Sequence, residues 1–434
     1  MTKIPSLAER SAWLTEARFG LFIHWGIYSA AARHEWVQTR ERMTPQEYRR
    51  YFDHFEPDLF DPERWAEEAW NAGMRYVVVT TKHHDGFCLW DSRLTDYTAV
   101  HTPAGRDLLR PIVDAFRARG FRIGFYHSLI DWHHPDFTID DHHPLRDVPG
   151  PDDGRDFDRY VEYLHGQVTE LLTEYGRIDS MWFDFSYPTY GDRGKGRDDW
   201  RSVELLALVR RLQPDIIVND RLDLPLGPGP DTADFTTPEQ VQPTGSDDGS
   251  AIGFGSGVPW EACQTLNGSW GYDRDNMDWK SPELLLRMLV DTVAGGGNLL
   301  LNVGPTGRGR FDPRAREVLA ELGEWMDLHE PAIRHAGPAD FQAPADCRYT
   351  RNGDRLFLHV FAWPLKHLHL PGLAGRVAYA RMLHDHSEVA VVEYDPANDF
   401  HKHLSGLDES TLTLELPVRA PEVAVPVVEL ILRD

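Results

Sequence analysis

The stretch RYVVVTTKHHDGFCLW, residues 75–90, is an apolar run of strand length at 76–81 that ends in Lys82, His83, His84 and Asp85. Runs of the same kind recur at 21–25, 122–127, 178–183, 216–219, 260–264 and 299–303, and a brief extended piece at 234–236 makes an eighth. Helical patterns lie between several of them, at 107–119, 156–175, 200–212 and 282–293, with Pro282 suited to a first helical turn after Ser281. Strand followed by helix is the alternation that builds a parallel sheet with helices outside, and eight such strands close a (β/α)8-like barrel. The expected class is therefore α/β.

Beyond a final helix at 313–329 and a Gly337-Pro338 turn, the pattern changes. Segments 355–361, 367–370, 377–383, 389–394, 412–416 and 423–432 alternate as antiparallel strands do. The chain is thus expected to divide into a catalytic barrel at 1–335 and a β domain at 336–434. Its 434 residues exceed what one hydrophobic core usually serves, which agrees. Residues 222–257, crowded with Gly, Pro, Asp and Thr, show no helix and read as a long functional loop.

Composition narrows the function. With 41% hydrophobic and 26% charged residues the chain is an ordinary globular protein. A formal net charge of -24 repels polyphosphate, which excludes nucleic acid as a partner. No stretch reaches the length of a membrane span. Cys88, Cys263 and Cys347 are widely spaced and form no CxxC pattern, so neither a disulfide framework nor a zinc knuckle is indicated. Together with an N-terminal stretch lacking an apolar signal core, this predicts a cytoplasmic protein. A homo-oligomer is left open.

Active-site groups of a parallel barrel gather at the carboxyl ends of its strands. The first run delivers His24 and Trp25, the second Lys82, His83, His84 and Asp85, the third Tyr126, His127 and Ser128, and the fourth Asp184. The fifth delivers Asn219, Asp220 and Arg221; later come Glu261 beside Trp260, then Trp270, Gly271, Tyr272 and Asn302. One buried His or Trp at a strand end is as often packing as function. Six consecutive strand ends of this chemistry are not, because strand ends require turn residues rather than His, Asp, Arg and Trp.

Two chemistries compete for such a mouth. A metal-dependent amidohydrolase would carry an HxH at the first strand end, but the HxH pairs are His367 with His369, His384 with His386 and His401 with His403, all in the β domain. Adjacent His83 and His84 point apart if extended, which suits separate hydroxyl contacts, or a turn, better than one metal site. Glycoside hydrolysis needs no metal. It asks for one carboxylate to attack the anomeric carbon and one carboxylic acid to protonate the leaving oxygen, with rings against the sugar face and His, Asn or Arg on its hydroxyls.

The strings FGLFIHWGIYS (19–29), EW (35–36), TKHHDGFCLW (81–90), GFYHSLIDWHHP (124–135), WFDF (182–185), VNDR (218–221), WEACQTLNGSWGY (260–272) and GGNLLLNVGPTGRG (296–309) closely resemble, in order, glycoside hydrolase family 29, the α-L-fucosidases. The resemblance implies a barrel followed by a β-sandwich, a retaining mechanism through a covalent fucosyl-enzyme, a fucosylated glycan as substrate, and no cofactor or metal. It implies Asp184 as nucleophile, and His24, Glu35, Trp36, His83, His84, Tyr126, Arg221 and Trp270 as pocket residues. The acid/base position varies most within the family. Glu239, on a loop beyond a strand end, is preferred over Glu261, which sits between Trp260 and Cys263 in a strand. Phe185, Ser186 and Tyr187 depart from the small or acidic residues of many relatives, so the leaving-group side is expected to differ. The alternatives are a glycosidase for a related sugar such as a galactoside, and a carbohydrate-binding protein without turnover.

Overall fold

Strand sequences such as Tyr76–Lys82 are buried along their whole length, as strands covered on both faces must be. The computed structural model describes residues 4–150, 152–189, 191–241, 258–393 and 407–433. Within them the chain runs α1 (Leu7–Ala17), β1 (Phe19–Ile23), α2 (Tyr28–Ala31), α3 (Val37–Arg40), α4 (Pro45–Asp53), α5 (Pro62–Asn71) and β2 (Tyr76–Lys82). Next come α6 (Leu109–Ala118), β3 (Arg122–Ser128), α7 (Phe157–Glu174), β4 (Ser180–Asp184), α8 (Ser202–Leu212) and β5 (Ile217–Val218). After these follow β6 (Glu261–Thr265), α9 (Pro282–Ala294), β7 (Asn298–Val303) and α10 (Pro313–His329). The antiparallel strands are β8 (Cys347–Asn352), β9 (Arg355–Val360), β10 (His367–Leu370), β11 (Val377–Met382), β12 (Ala390–Glu393), β13 (Leu412–Glu415) and β14 (Val427–Leu432).

The fold is mixed α/β. Seven strands form one parallel sheet in the order β5-β4-β3-β2-β1-β7-β6, and the later strands form antiparallel sheets ordered β10-β13-β12 and β11-β14-β9-β8. The eighth strand expected at 234–236 is not a member of the continuous ladder. Extended backbone there makes isolated parallel bridges to both edges, Asn219 to Phe235 on one side and Thr236 to Trp260 and Glu239 to Cys263 on the other. Pro238 has no N–H to give, which limits the pairing to single bridges. Residues 242–257 of the Gly- and Pro-rich stretch, and residue 394 of an expected strand, lie outside the described residues.

Alternation along the parallel strands sorts side chains between two cores. Leu21, Ile23, Val77 and Val79 join the large cluster under the helices, whereas Phe22, Tyr76, Val78, Tyr126, Trp182, Phe235 and Cys263 share the inner one. Trp13 and Leu14 of α1 close that inner core. Gly20 leaves room for the Tyr76 ring, which any Cβ at that position would strike. Separately, β8 to β14 surround their own cluster, including Leu356, Leu358, Leu412 and Leu430.

Helices α1 to α5 and strand β8 have no counterpart in the sequence expectation. Local capping nonetheless explains two of the helices: Ser6 with Glu9 and Thr44 with Glu47 form reciprocal capping boxes at the starts of α1 and α4. No described helix is long and apolar enough to cross a membrane. Cys88, Cys263 and Cys347 are all free and buried.

Candidate active site

The register of β3 and β4 sets Tyr126 beside Trp182 and Ser128 beside Asp184, with all four on the sheet's inner face by alternation. Tyr126 donates its hydroxyl hydrogen to Oδ2 of Asp184 at 2.8 Å. The other oxygen, Oδ1, accepts from Nη1 of Arg221 at 2.8 Å, and Nη2 of the same guanidinium donates to Oε2 of Glu239 at 2.8 Å. Arg221 is locked in this bridge from behind: its Nε donates to Thr237 Oγ1 at 3.1 Å and its guanidinium lies 4.5 Å over the Trp182 ring. Burial works against the charge of this guanidinium, but Asp184, Tyr187 and Glu239 together outweigh it and hold its proton more tightly than usual.

The histidines around this bridge are neutral, and their partners fix which nitrogen carries the hydrogen. His24, one residue past β1, donates from Nδ1 to Asn302 Oδ1 at 2.6 Å, while Asn302 Nδ2 donates to the Trp270 carbonyl at 2.6 Å. Burial pushes His24 down to about 3. Ser128 Oγ donates to the Ile130 carbonyl at 2.7 Å, so it accepts from His84 Nδ1 at 2.7 Å. Nε2 of His84 then offers a lone pair 3.8 Å from Asp184 Oδ2, a gap that a hydroxyl donor fills with a hydrogen bond. The chain turns after Lys82, so the His83 and His84 rings stand 4.0 Å apart and line one cavity rather than opposite faces.

That cavity has a volume of about 430 Å3 and opens at the carboxyl ends of the parallel strands. It brings together His24, Trp36, His83, His84, Tyr126, Asp184, Arg221, Glu239 and Trp270. Trp36 packs edge-on to His84 at 5.0 Å, and Trp270 lies 5.2 Å from His24, giving two apolar walls.

Glu35 and Glu261 are not among the residues lining it. Glu35 is fully buried, accepts from the Gly271 amide at 2.6 Å and sits behind the Trp270 turn. His34, at φ 82, turns the chain so that Trp36 enters the cavity while Glu35 faces the wall. Glu261 shares the inner face of β6 with Cys263, which does line the cavity, but it is two residues deeper. Burial pushes each of these carboxyls up to about 7.

Phe22, Trp182, Cys263, His142, Phe185 and Tyr187 also line the cavity. His142 comes from the β3–α7 connection, whose sequence has no periodic pattern to mark it. Asn302 was visible as a strand-end residue, but its partnership with His24 follows only from the pairing of β7 with β1.

A sequence model of the family described as Alpha-L-fucosidase matches residues 2–330. The chain belongs to the alpha-L-fucosidase family. It is therefore a glycoside hydrolase. Alpha-L-fucosidase isoenzyme 1 from Paenibacillus thiaminolyticus is 43% identical, with a TM-score of 0.90 over 99% of this chain and 100% of that one. An alpha-L-fucosidase from Bacteroides thetaiotaomicron, solved as a trapped covalent intermediate with 2-fluoro-fucosyl fluoride in a Glu-to-Gln mutant, is 27% identical, with a TM-score of 0.82 over 99% of this chain and 96% of that one. Tissue alpha-L-fucosidase of Bos taurus is 30% identical over 83% of this chain and 77% of its own length. In this fucosidase-family chain the matched region contains the whole carboxylate–arginine bridge and every cavity wall described above.

Proposed function

We propose that this protein is an exo-acting, retaining α-L-fucosidase that removes terminal α-L-fucose from fucosylated glycans by double displacement. The observation that carries the reading is the bridge in which Arg221 holds Asp184 and Glu239 in one cavity walled by aromatic rings and neutral histidines. Asp184 attacks the anomeric carbon while protonated Glu239 gives its proton to the departing glycosidic oxygen, leaving a fucosyl ester on Asp184. Having given up its proton, Glu239 is the carboxylate that takes a proton from water in the second step. The attacking water releases fucose and restores Asp184.

The walls suit the sugar. The unprotonated nitrogens of His24 and His84 accept from hydroxyls, and Trp36 and Trp270 cover the apolar face and the methyl group. Glu35 supports Trp270 from behind through Gly271. The trapped intermediate of the Bacteroides relative supports a covalent route.

The reading extends to architecture and setting. The bridges at Phe235, Thr236 and Glu239 span β5 and β6 and support an eighth, closing strand of a (β/α)8-like barrel. The separate apolar cluster of β8 to β14 supports a C-terminal sandwich and a division into 1–335 and 336–434. The unpaired cysteines suit a reducing, cytoplasmic location. Proton NMR of nitrophenyl α-L-fucoside hydrolysis tests the core claim: the first fucose released is expected as the α anomer. Absence of turnover, or β-fucose first, overturns it.

A further inference from the structure

We propose that Tyr187 is the platform for the second pyranose, the sugar to which the terminal fucose is attached, and so selects glycans over other fucosides; this rests on the fucosidase reading above. Phe185, directly after Asp184, adopts φ 81, a backbone state that a bulky residue takes only at a cost. The strain puts the Phe185 ring against His84 at 4.7 Å, His142 at 5.0 Å and Trp36 at 5.5 Å, and it carries the following residues over the cavity mouth. Tyr187 stands edge-on to Phe185 at 5.3 Å and keeps 37% of its surface exposed. It shares the cavity lining with Asp184, Arg221 and Glu239.

Position gives the assignment. Glu239 must reach the glycosidic oxygen to protonate it, so the leaving sugar lies on the Glu239 side of the mouth. Tyr187 offers an exposed ring there, and the CH face of a pyranose packs on such a ring. Its hydroxyl makes no hydrogen bond among the described residues, lies in the field of Asp184, Arg221 and Glu239, and is left for a sugar hydroxyl. The ring is also preorganised. A Cβ on Gly194 would strike the Tyr187 carbonyl, so the loop folds tightly back on itself. Arg193 N donates to Asp141 Oδ2 at 3.1 Å and Lys195 Nζ to the Thr138 carbonyl at 2.9 Å, which fastens this loop to the β3–α7 connection.

Two donors separate a platform from a general defect. Fluoride leaves as a single atom and cannot rest on a ring, whereas the galactose of an α-L-fucosyl-galactose disaccharide can. For Tyr187→Ala, kcat/KM on the disaccharide should fall about tenfold further than on α-L-fucosyl fluoride, mainly through KM. Tyr187→Leu keeps apolar volume without a flat face and should show the same change in ratio; it guards against a folding failure of the alanine variant. Tyr187→Trp should restore the ratio. Equal losses on both donors, or a Trp variant no better than Ala, overturn the assignment while the fucosidase reading stands. A wild-type enzyme inactive on both donors overturns that reading and this assignment with it.

Discussion

Glu261 and Trp182 are joined by a hydrogen bond of 3.0 Å in which the indole N–H donates to Oε1 of the carboxyl, beneath the ring on which Arg221 rests. The second oxygen accepts from the Tyr76 hydroxyl at 2.7 Å. In the reading proposed above, Glu261 acts through Trp182 as a positioning residue beneath the cavity.

A stability consequence follows from the sign of its shift. Burial raises Glu261 from the ordinary 4.5 to about 7, so the folded state holds a proton that the unfolded state has lost. Its contribution is complete below the unfolded value and disappears as pH rises through about 7, with an upper bound of roughly 3 kcal/mol. Glu261→Gln keeps both contacts without a titrating proton. Its Tm should fall less than that of the wild type between roughly pH 5 and pH 8. Some slope must remain, because Glu35 and Asp85 are also raised to about 7. Identical Tm profiles would show that Glu261 ionises freely in the folded protein.

Asp184→Gly should lose several orders of magnitude in hydrolysis, since the other carboxylate lining the cavity among the described residues, Glu239, stands on the leaving-group side in this reading. Azide fits the space left by the carboxylate and attacks from the same face. Turnover of nitrophenyl α-L-fucoside should return with azide and give the β-fucosyl azide. Near-normal activity in the variant without azide excludes Asp184 as nucleophile.

The strand ends were legible because a parallel sheet places its reactive groups there, and His24, His83, His84, Tyr126 and Asp184 all reach the cavity. The depth of a residue on a fully buried strand was not. Glu261 and Cys263 lie on the same face of β6, and no alternation of polarity reveals that only the second lines the cavity. Glu35 and Trp36 are neighbours, yet the positive φ at His34 sends them to different sides, a feature without a sequence signal in a residue other than Gly or Asn. Of the helices between β1 and β2, α2 and α3 escaped because they are single turns of 4 residues each, too short for a periodic pattern, whereas α4 and α5, of 9 and 10 residues, begin with legible start signals, Thr44-Pro45 and Asp61-Pro62, that the sequence expectation omits. The closing segment at 234–236 was legible as extended, but its mode of pairing depends on Pro238 and on neighbours distant in the chain.

Acid should loosen the seam between α10 and the antiparallel strands. Thr350 donates to the Ala332 carbonyl at 2.6 Å and accepts from His359 Nε2 at 2.9 Å, while His329 Nδ1 donates to the Trp325 carbonyl at 2.8 Å. The second nitrogens, His359 Nδ1 and His329 Nε2, are buried without a hydrogen-bond partner among the described residues, so neither ring is built to hold a second proton. Burial lowers His359 to about 3 and His329 to about 4, with His384 facing His329 as a further opposing charge when protonated. The unfolded chain binds these protons first, so stability falls as pH drops below about 6.5, by about 2 kcal/mol per ring near pH 5. His359→Gln retains a donor for Thr350 and removes one titration. Its Tm should drop less than the wild-type Tm between roughly pH 7 and pH 5, and an equal drop would assign the acid sensitivity to other groups.

The role of Glu239 is separable from that of Glu261 by leaving-group dependence, because an acid catalyst matters in proportion to the departing oxygen's need for a proton. Aryl fucosides with acidic phenols need little help, whereas a sugar hydroxyl leaves poorly as an anion. Glu239→Gln should nearly spare the first step on the aryl substrate and cut disaccharide cleavage far more severely. The second step should slow as well, since water has lost its base, so the fucosyl ester on Asp184 accumulates. Azide needs no base and should intercept that ester. Two displacements at the anomeric carbon restore the original configuration, so the product is the α-fucosyl azide, opposite in anomer to the product from Asp184→Gly. Glu261→Gln, which leaves a neutral amide on Tyr76 and Trp182, should change all substrates alike and give no azide product. If Glu261→Gln instead yields the α-azide with selective loss on the disaccharide, the acid/base assignment passes to Glu261, and the cavity must admit a leaving group to a depth that Trp182 now covers.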